Sequence, residues 1–404
     1  MSEDNHRAPL RDHRLYIVFG ITLMGVMGVS SIAPAFPDIA RALELSSRQV
    51  GLLLTVFTVP GIFLAPVLGF LSDRFGRKRI VVPALLLFGA AGVACGFTRS
   101  FPLLLVLRFF QGVGAASLTS LSVTLLGDMY EGDAREAAVG YNASALSIGT
   151  ASYPLVGGAL AAIGWQYPFL LSAVAFPIAL LVATKLETPR PHSSGTVLSR
   201  IRAVIENAWR TGIGTLSVVA ILVFIVLYGA YLAYMPFLLA DRFGLPSPLI
   251  GAIMSTASIA TALTASRHGV IAQRLSGRAI LTIAFGVYVA ALVTIPFMPR
   301  WWLVPAGTLL YGVAQGLTIP TVQSQIASRA PMELRGATMA VNAMAIRIGQ
   351  TIGPLLSGIA YAVGGVGAVF FAAAFVPLFM TLVLWLGWVP KADIAGGHAA
   401  PHNT

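Results

Sequence analysis

The chain has 404 residues, of which 57% are hydrophobic and only 10% charged. A soluble domain carries roughly 25% charged residues, so an ordinary soluble enzyme or binding module is excluded. The formal charge of +11 would suit a nucleic-acid binder if it were gathered on one soluble face, but here it is dispersed between apolar runs. Cys95 is the one cysteine and lies inside such a run, which excludes a disulfide and a thiolate metal site.

Twelve apolar stretches predict an all-α membrane protein of twelve transmembrane helices. In chain order they are 15–37, 50–71, 80–98, 103–127, 137–161, 164–184, 213–240, 249–266, 279–298, 302–327, 337–360 and 366–389. Each can cross a hydrocarbon core of about 30 Å, which takes about 20 helical residues. The first run follows Arg7, Arg11 and Arg14 and ends in Ala33-Pro34-Ala35, imitating a secretory leader; its length and the charge parity of twelve spans favour a retained helix. Between spans 2 and 3, Gly69 to Arg79 holds Asp73, Arg74, Arg77, Lys78 and Arg79, charges that each cost several kcal/mol in hydrocarbon and so belong at a membrane surface. With a cytoplasmic N-terminus, nineteen basic residues fall inside and five outside, and the positive-inside rule then places both termini in the cytoplasm, of a bacterial inner (plasma) membrane.

The longest polar interruption, 185–212, divides a six-helix bundle over 1–184 from another over 213–390, followed by a tail over 391–404. Within it, 198–209 alternates Ile201, Val204, Ile205 and Trp209 with Arg200, Arg202 and Glu206, as in a helix lying on the membrane. The halves repeat at an offset of 200: Gly51 with Gly251, Gly69 with Gly269, Arg74 with Arg274, and ten identities between 134–158 and 334–358. Parallel repeats of this kind place a transport path at the interface between halves.

Twelve spans in two halves, with Gly69-x-x-x-Asp73-Arg74-x-Gly76-Arg77-Lys78 joining spans 2 and 3, resemble the major facilitator superfamily. Span 4, Leu104-x-x-x-Arg108-x-x-Gln111-Gly112-x-Gly114, resembles a motif of its drug:proton antiporters, as do Pro34-x-x-Pro37-Asp38 in span 1 and Gly149-x-x-x-Tyr153-Pro154-x-x-Gly157-Gly158 in span 5. The resemblance implies a conformational latch in which Asp73 meets the start of span 11 and Arg77 pairs with an acid, here Asp128. It also implies proton coupling through Arg108. Tyr153 stands where the motif has Gly and is expected to block close helix approach, whereas the stripe Gly349, Gly353, Pro354 in span 11 is intact.

Arg108 and Arg347 lie inside spans, where a charge is a functional-site expectation by default. The alternative for Arg108 is a side chain tied to carbonyls of a broken helix. Asp38, after two prolines, is the expected proton carrier, with a plain outer-loop residue as the alternative. Gln111, Tyr141, Asn142, Tyr231, Tyr234, Gln315, Asn342 and Arg347 are expected to line a substrate cavity.

These features predict a monomeric secondary transporter whose partners are a small-molecule substrate, protons and the bilayer. It exports hydrophobic or drug-like compounds by proton antiport or, alternatively, carries organic anions on Arg108 and Arg347. Gly112-Val-Gly114 lacks the third glycine of a dinucleotide loop, and the spans hold no nucleophile–base pair, so no cofactor and no enzymatic activity are expected.

Overall fold

A computed structural model describes residues 9–186, 204, 206, 208, 211–331 and 334–387, with no strand among them. Ten helical segments are long and apolar enough to cross a membrane. They are span 1 (His13–Ala42), span 2 (Ser47–Phe75), span 3 (Arg77–Cys95), span 4 (Phe101–Met129), span 6 (Tyr167–Lys185), span 7 (Ile213–Phe243), span 8 (Ser247–Ser266), span 9 (Gly277–Phe297), span 10 (Trp301–Arg329) and the stretch Arg335–Gly387. The number becomes twelve for two physical reasons. Gly132–Ala161, span 5, is a 30-residue helix whose first turns carry Asp133, Arg135 and Glu136 and lower its apolarity. Arg335–Gly387 is broken at Gly364 and Gly365, the latter at φ 66°, into spans 11 and 12. The surface helix expected over 198–209, most of the linker and the tail lie outside the described residues.

Local chemistry sets the joints. Span 1 stops at Ser30, passes a 3-10 turn at Ala33–Ala35 and resumes at Phe36–Ala42, because Pro34 and Pro37 have no N–H for the helical ladder. Span 2 starts with a reciprocal cap in which the Ser46 Oγ accepts from the Gln49 backbone N–H and the Ser46 N–H donates to Gln49 Oε1. Between spans 2 and 3, Gly76 takes φ 98°, a conformation that a side chain would strain. Span 7 is π-helical over Leu227–Tyr234, a widened turn that shifts the register of its side chains.

The halves meet where spans 2 and 5 of one pack on spans 11 and 8 of the other. The same offset of 200 governs this seam. Gly251 presses on the Pro154 carbonyl so closely that a Cβ would overlap it, and its repeat mate Gly51 faces Pro354 at 3.9 Å. Gly158 likewise packs on the Ser247 backbone, and Gly358 beside Arg48. All these contacts lie toward the face remote from the termini. At the opposite ends of the same helices, Gly69, Gly140 and Gly336, with Gly269 just beyond span 8, have nothing within 4 Å of where a Cβ would stand. The molecule is therefore sealed at the face remote from the termini and open at the basic face that bears them.

Candidate functional site

The basic loop is tied to its own half. Arg77 Nε donates to Asp128 Oδ2 at 2.9 Å, Arg77 Nη1 donates to Ser72 Oγ at 2.6 Å, and the same guanidinium pairs with Asp73. Asp73 thus faces Arg77 and not the start of span 11, because the halves stand apart at this face. Arg74 stays on the loop, its guanidinium 5.5 Å from the centre of the Phe75 ring.

Arg108 is fully buried between spans 1, 2 and 4. Its Nε donates to the Leu53 carbonyl at 3.2 Å, and its Nη1 to the Gly28 carbonyl at 2.8 Å and to Gln111 Oε1 at 2.7 Å. The guanidinium also stacks 4.2 Å from the centre of the Phe57 ring. Gln111 passes the network on, donating to Ser172 Oγ at 2.9 Å in span 6. Three charge-assisted hydrogen bonds, each contributing about 1.5–3 kcal/mol, offset the roughly 3 kcal/mol that insertion scales assign to a mid-membrane arginine. Both carbonyls belong to continuous helices, so Arg108 is carbonyl-bound but not at a broken helix. Its neighbour Gln111, and Asn142 of span 5, which accepts from Thr22 Oγ1 at 2.7 Å, are buried inside the first half and do not line the opening.

Arg347 differs. It lies half-buried on the seam against Gly61 of span 2, and its Nη1 donates to Gln350 Oε1 at 3.0 Å. Beside it, Thr58 and Thr351 share a 2.9 Å hydroxyl contact across the halves, and Thr55 Oγ1 donates to the Thr351 carbonyl at 3.2 Å. Tyr228, in the π-helical turn, is within electrostatic reach of both Arg108 and Arg347. Asn342 is 3% exposed, and its Oδ1 has no hydrogen-bond partner. It borders a pocket formed with Val223, Phe224, Val322, Gln323 and Ile346. The repeat explains the orphan: the Thr22 that serves Asn142 corresponds to Leu222, which offers no hydroxyl.

Several expected cavity residues are packed away. Tyr231 stacks on Tyr311 at 4.6 Å and donates to the Met254 carbonyl at 2.7 Å, within the second half. Tyr234 is buried at the sealed end near Tyr361, and Gln315 is buried in span 10. Tyr141 alone of the expected tyrosines is exposed, near the open end of span 5. The glycine stripes hold backbones together: Gly349 and Gly353 pack on the Ile221 and Ile225 carbonyls of span 7. In span 5 the expected blockage by Tyr153 is not what occurs. Gly157 still packs directly on the Ser31 carbonyl, because Tyr153 leans back over Gly149, as helical side chains lean toward the N-terminus.

At the sealed end, Asp38 occupies the first turn of Phe36–Ala42; one carboxylate oxygen takes Arg41 Nη2 at 2.5 Å and the other accepts from Ser247 Oγ of span 8. The structure thus brings Asp38 to the seam and leaves Arg108 inside the first half, apart from it. Sequence reading missed Ser247, Thr55, Thr58 and Thr351. The offset of 200 that pairs Ser47 with Ser247 held a signal for the first, since each of these serines bonds across the halves, Ser47 to Tyr361 at 3.5 Å.

Comparisons with known proteins agree with this architecture. A profile described as Major Facilitator Superfamily matches residues 18–299 and 217–402. The chain is 25% identical over 351 residues to the bacillibactin exporter of Bacillus subtilis (strain 168), covering 83% of this chain and 86% of that one. It is 25% identical over 391 residues to multidrug resistance protein 2 of the same strain, covering 94% and 96%. To the class C tetracycline resistance protein of Escherichia coli it is 24% identical over 363 residues, covering 87% and 90%. Among solved structures, a bacterial homologue of the human lysosomal transporter Spinster, in an inward-facing and occupied conformation, superposes with a TM-score of 0.77 at 18% identity, covering 95% of this chain and 99% of that one. With matches to that profile across both halves, a duplicated twelve-helix body and the complete loop motif at Gly69 to Lys78, the chain belongs to the major facilitator superfamily, a family of membrane transporters and not of enzymes.

Proposed function

We propose that this transporter exports amphipathic small molecules by alternating access, driven by proton antiport, from a bacterial inner membrane with both termini in the cytoplasm. The basic residues assign the open face to the cytoplasm, so the conformation described here is the one that loads substrate from the cell interior. The observation that carries the reading is Asp38. It is a carboxylate that joins the halves at the sealed face, through Ser247, and it lies where an external proton arrives once that seal opens. Protonation removes the charge that holds Arg41 and weakens acceptance from Ser247, so the proton on this carboxylate is linked to the seal; antiport follows when the substrate-free carrier closes outside only with that proton bound and releases it to the cytoplasm. The efflux proteins among the relatives support the direction of transport.

The test is uptake of a lipophilic dye into proteoliposomes under an imposed pH gradient. The unmodified protein is expected to accumulate dye only with the gradient, and Asp38→Asn to fall to the level of protein-free vesicles. Gradient-driven uptake that persists in Asp38→Asn would remove this carboxylate from coupling. Absence of uptake in folded unmodified protein would overturn the reading.

A further inference from the structure

We propose that Arg347 binds the anionic group of the transported compound, so that the amphiphiles carried are organic carboxylates or sulfonates. This inference rests on the reading of the chain as an exporter of amphipathic compounds and names their charge.

Arg347 is the twelfth residue after Arg335 in span 11, which puts it about 18 Å along the helix at roughly 1.5 Å per residue, near mid-membrane and beyond the reach of a lipid phosphate. It stands on the seam that alternating access must open and close, where the first half has Ser147 and Gly61 of span 2 faces it. Among the described residues, Arg108 makes three hydrogen bonds to the protein through Nε and Nη1 and has a ring beneath it, leaving a buried Nη2 unpaired, whereas Arg347 makes a single one, from Nη1 to Gln350. A countercharge from the chain is absent beside it among the described residues: each described Asp and Glu sits at or near a helix end, in a loop or in the linker between the halves. A guanidinium with free donors in a low-dielectric seam favours an anion there, bound through two parallel N–H donors.

The position selects an organic anion over an inorganic one. Arg347 lies near mid-membrane among apolar helices, and the recess that Ile346 walls with Phe224 and Val322 has only about the volume of one water, so the body of the ligand lies along the seam and not in that recess. The ligand class is therefore an amphiphile with a carboxylate or sulfonate at one end and an apolar body.

The experiment is equilibrium binding of N-dansyl-leucine and of its methyl ester to the full chain in neutral-lipid nanodiscs, read by dansyl fluorescence. The two probes share a body and differ in the charge. The unmodified protein is expected to bind the acid at least about tenfold more tightly than the ester, the discrimination expected of a charge-assisted hydrogen bond. The ratio should fall toward one in Arg347→Gln and recover in part in Arg347→Lys, which keeps the charge without the planar fork; recovery also shows that the loss is not misfolding. Equal affinities in the unmodified protein, or a ratio that survives in Arg347→Gln, would overturn the anion site. If dye transport proceeds in the same preparation, the exporter reading stands and the anion site alone falls. If folded protein neither binds probe nor transports dye, both fall.

Discussion

Two intramembrane arginines separate structure from chemistry at the residue scale. Arg108 solvates its charge with the Gly28 and Leu53 carbonyls and Gln111, and so fastens spans 1, 2 and 4 together. Its replacement by Gln is expected to destabilise the fold by about 3 kcal/mol, since buried acceptors are left unpaired. Thermal unfolding in detergent should show this, with no rescue by Lys; unchanged stability would contradict it. A second cluster fixes the start of span 1. Asp12 caps that helix, accepting from the Arg14 backbone N–H at 2.9 Å and from the Tyr130 hydroxyl at 2.9 Å, and it pairs with Arg14 Nη2 at 2.8 Å. Burial alone would raise the Asp12 carboxyl, but the bonds from Arg14 and Tyr130 outweigh it and hold the carboxyl below 3.8. Such a depressed group stabilises the fold above its unfolded value and loses its contribution as pH falls through the folded one. Asp12→Ala should therefore cost about 1 kcal/mol at neutral pH. The gap to the unmodified protein should close as pH falls below 3.8. The charge of Arg108 and Arg347 was legible in the sequence. Their opposite surroundings were not, because the Gly28 and Leu53 carbonyls come from distant helices and one-dimensional spacing does not encode them.

The seam between halves is where elements matter most. Gly251 and Gly51 are repeat mates with unequal neighbours: a Cβ at Gly251 would overlap the Pro154 carbonyl, whereas at Gly51 it would make an ordinary 3.9 Å contact with Pro354. Gly251→Ala is thus expected to prevent spans 5 and 8 from closing, whereas Gly51→Ala is tolerated. Labelling of a cysteine introduced at the sealed face of span 8 should rise several-fold in the first variant, the response to overpacking at a backbone contact, and stay level in the second. Equal labelling of both would refute the asymmetry. Much of this level was readable in advance. The glycine stripes announced close helix contacts, and Pro34 with Pro37 announced the break in span 1. The π-helical turn of span 7 left no trace, because Leu227 to Tyr234 has the apolar and aromatic content of any buried helix. Tyr153 misled because position on a helical wheel ignores the backward lean of the side chain.

For the whole molecule, twelve spans and two halves were legible because hydrocarbon admits few solutions: a helix of about 20 apolar residues, with charges at its ends. Which face is sealed was not legible, since both conformations must be built from one sequence and differ little in energy. The offset of 200 nevertheless relates the two sides of the seam, in which Gly251 with Pro154 and Gly51 with Pro354 are equivalent pairs held at unequal distances. Alternating access requires that this sealed end and the open end exchange roles. The most direct test is a pair of spin-label distances between spans 2 and 11 in liposomes, one pair at the level of Gly51 and Pro354 and one at the level of Gly69 and Gly336. Without a gradient the first pair should be close and the second wide. Acidifying the outside should change the two distances together and in opposite directions. Distances that stay fixed, or that change in the same direction, would contradict a two-sided seam as the engine of this transporter.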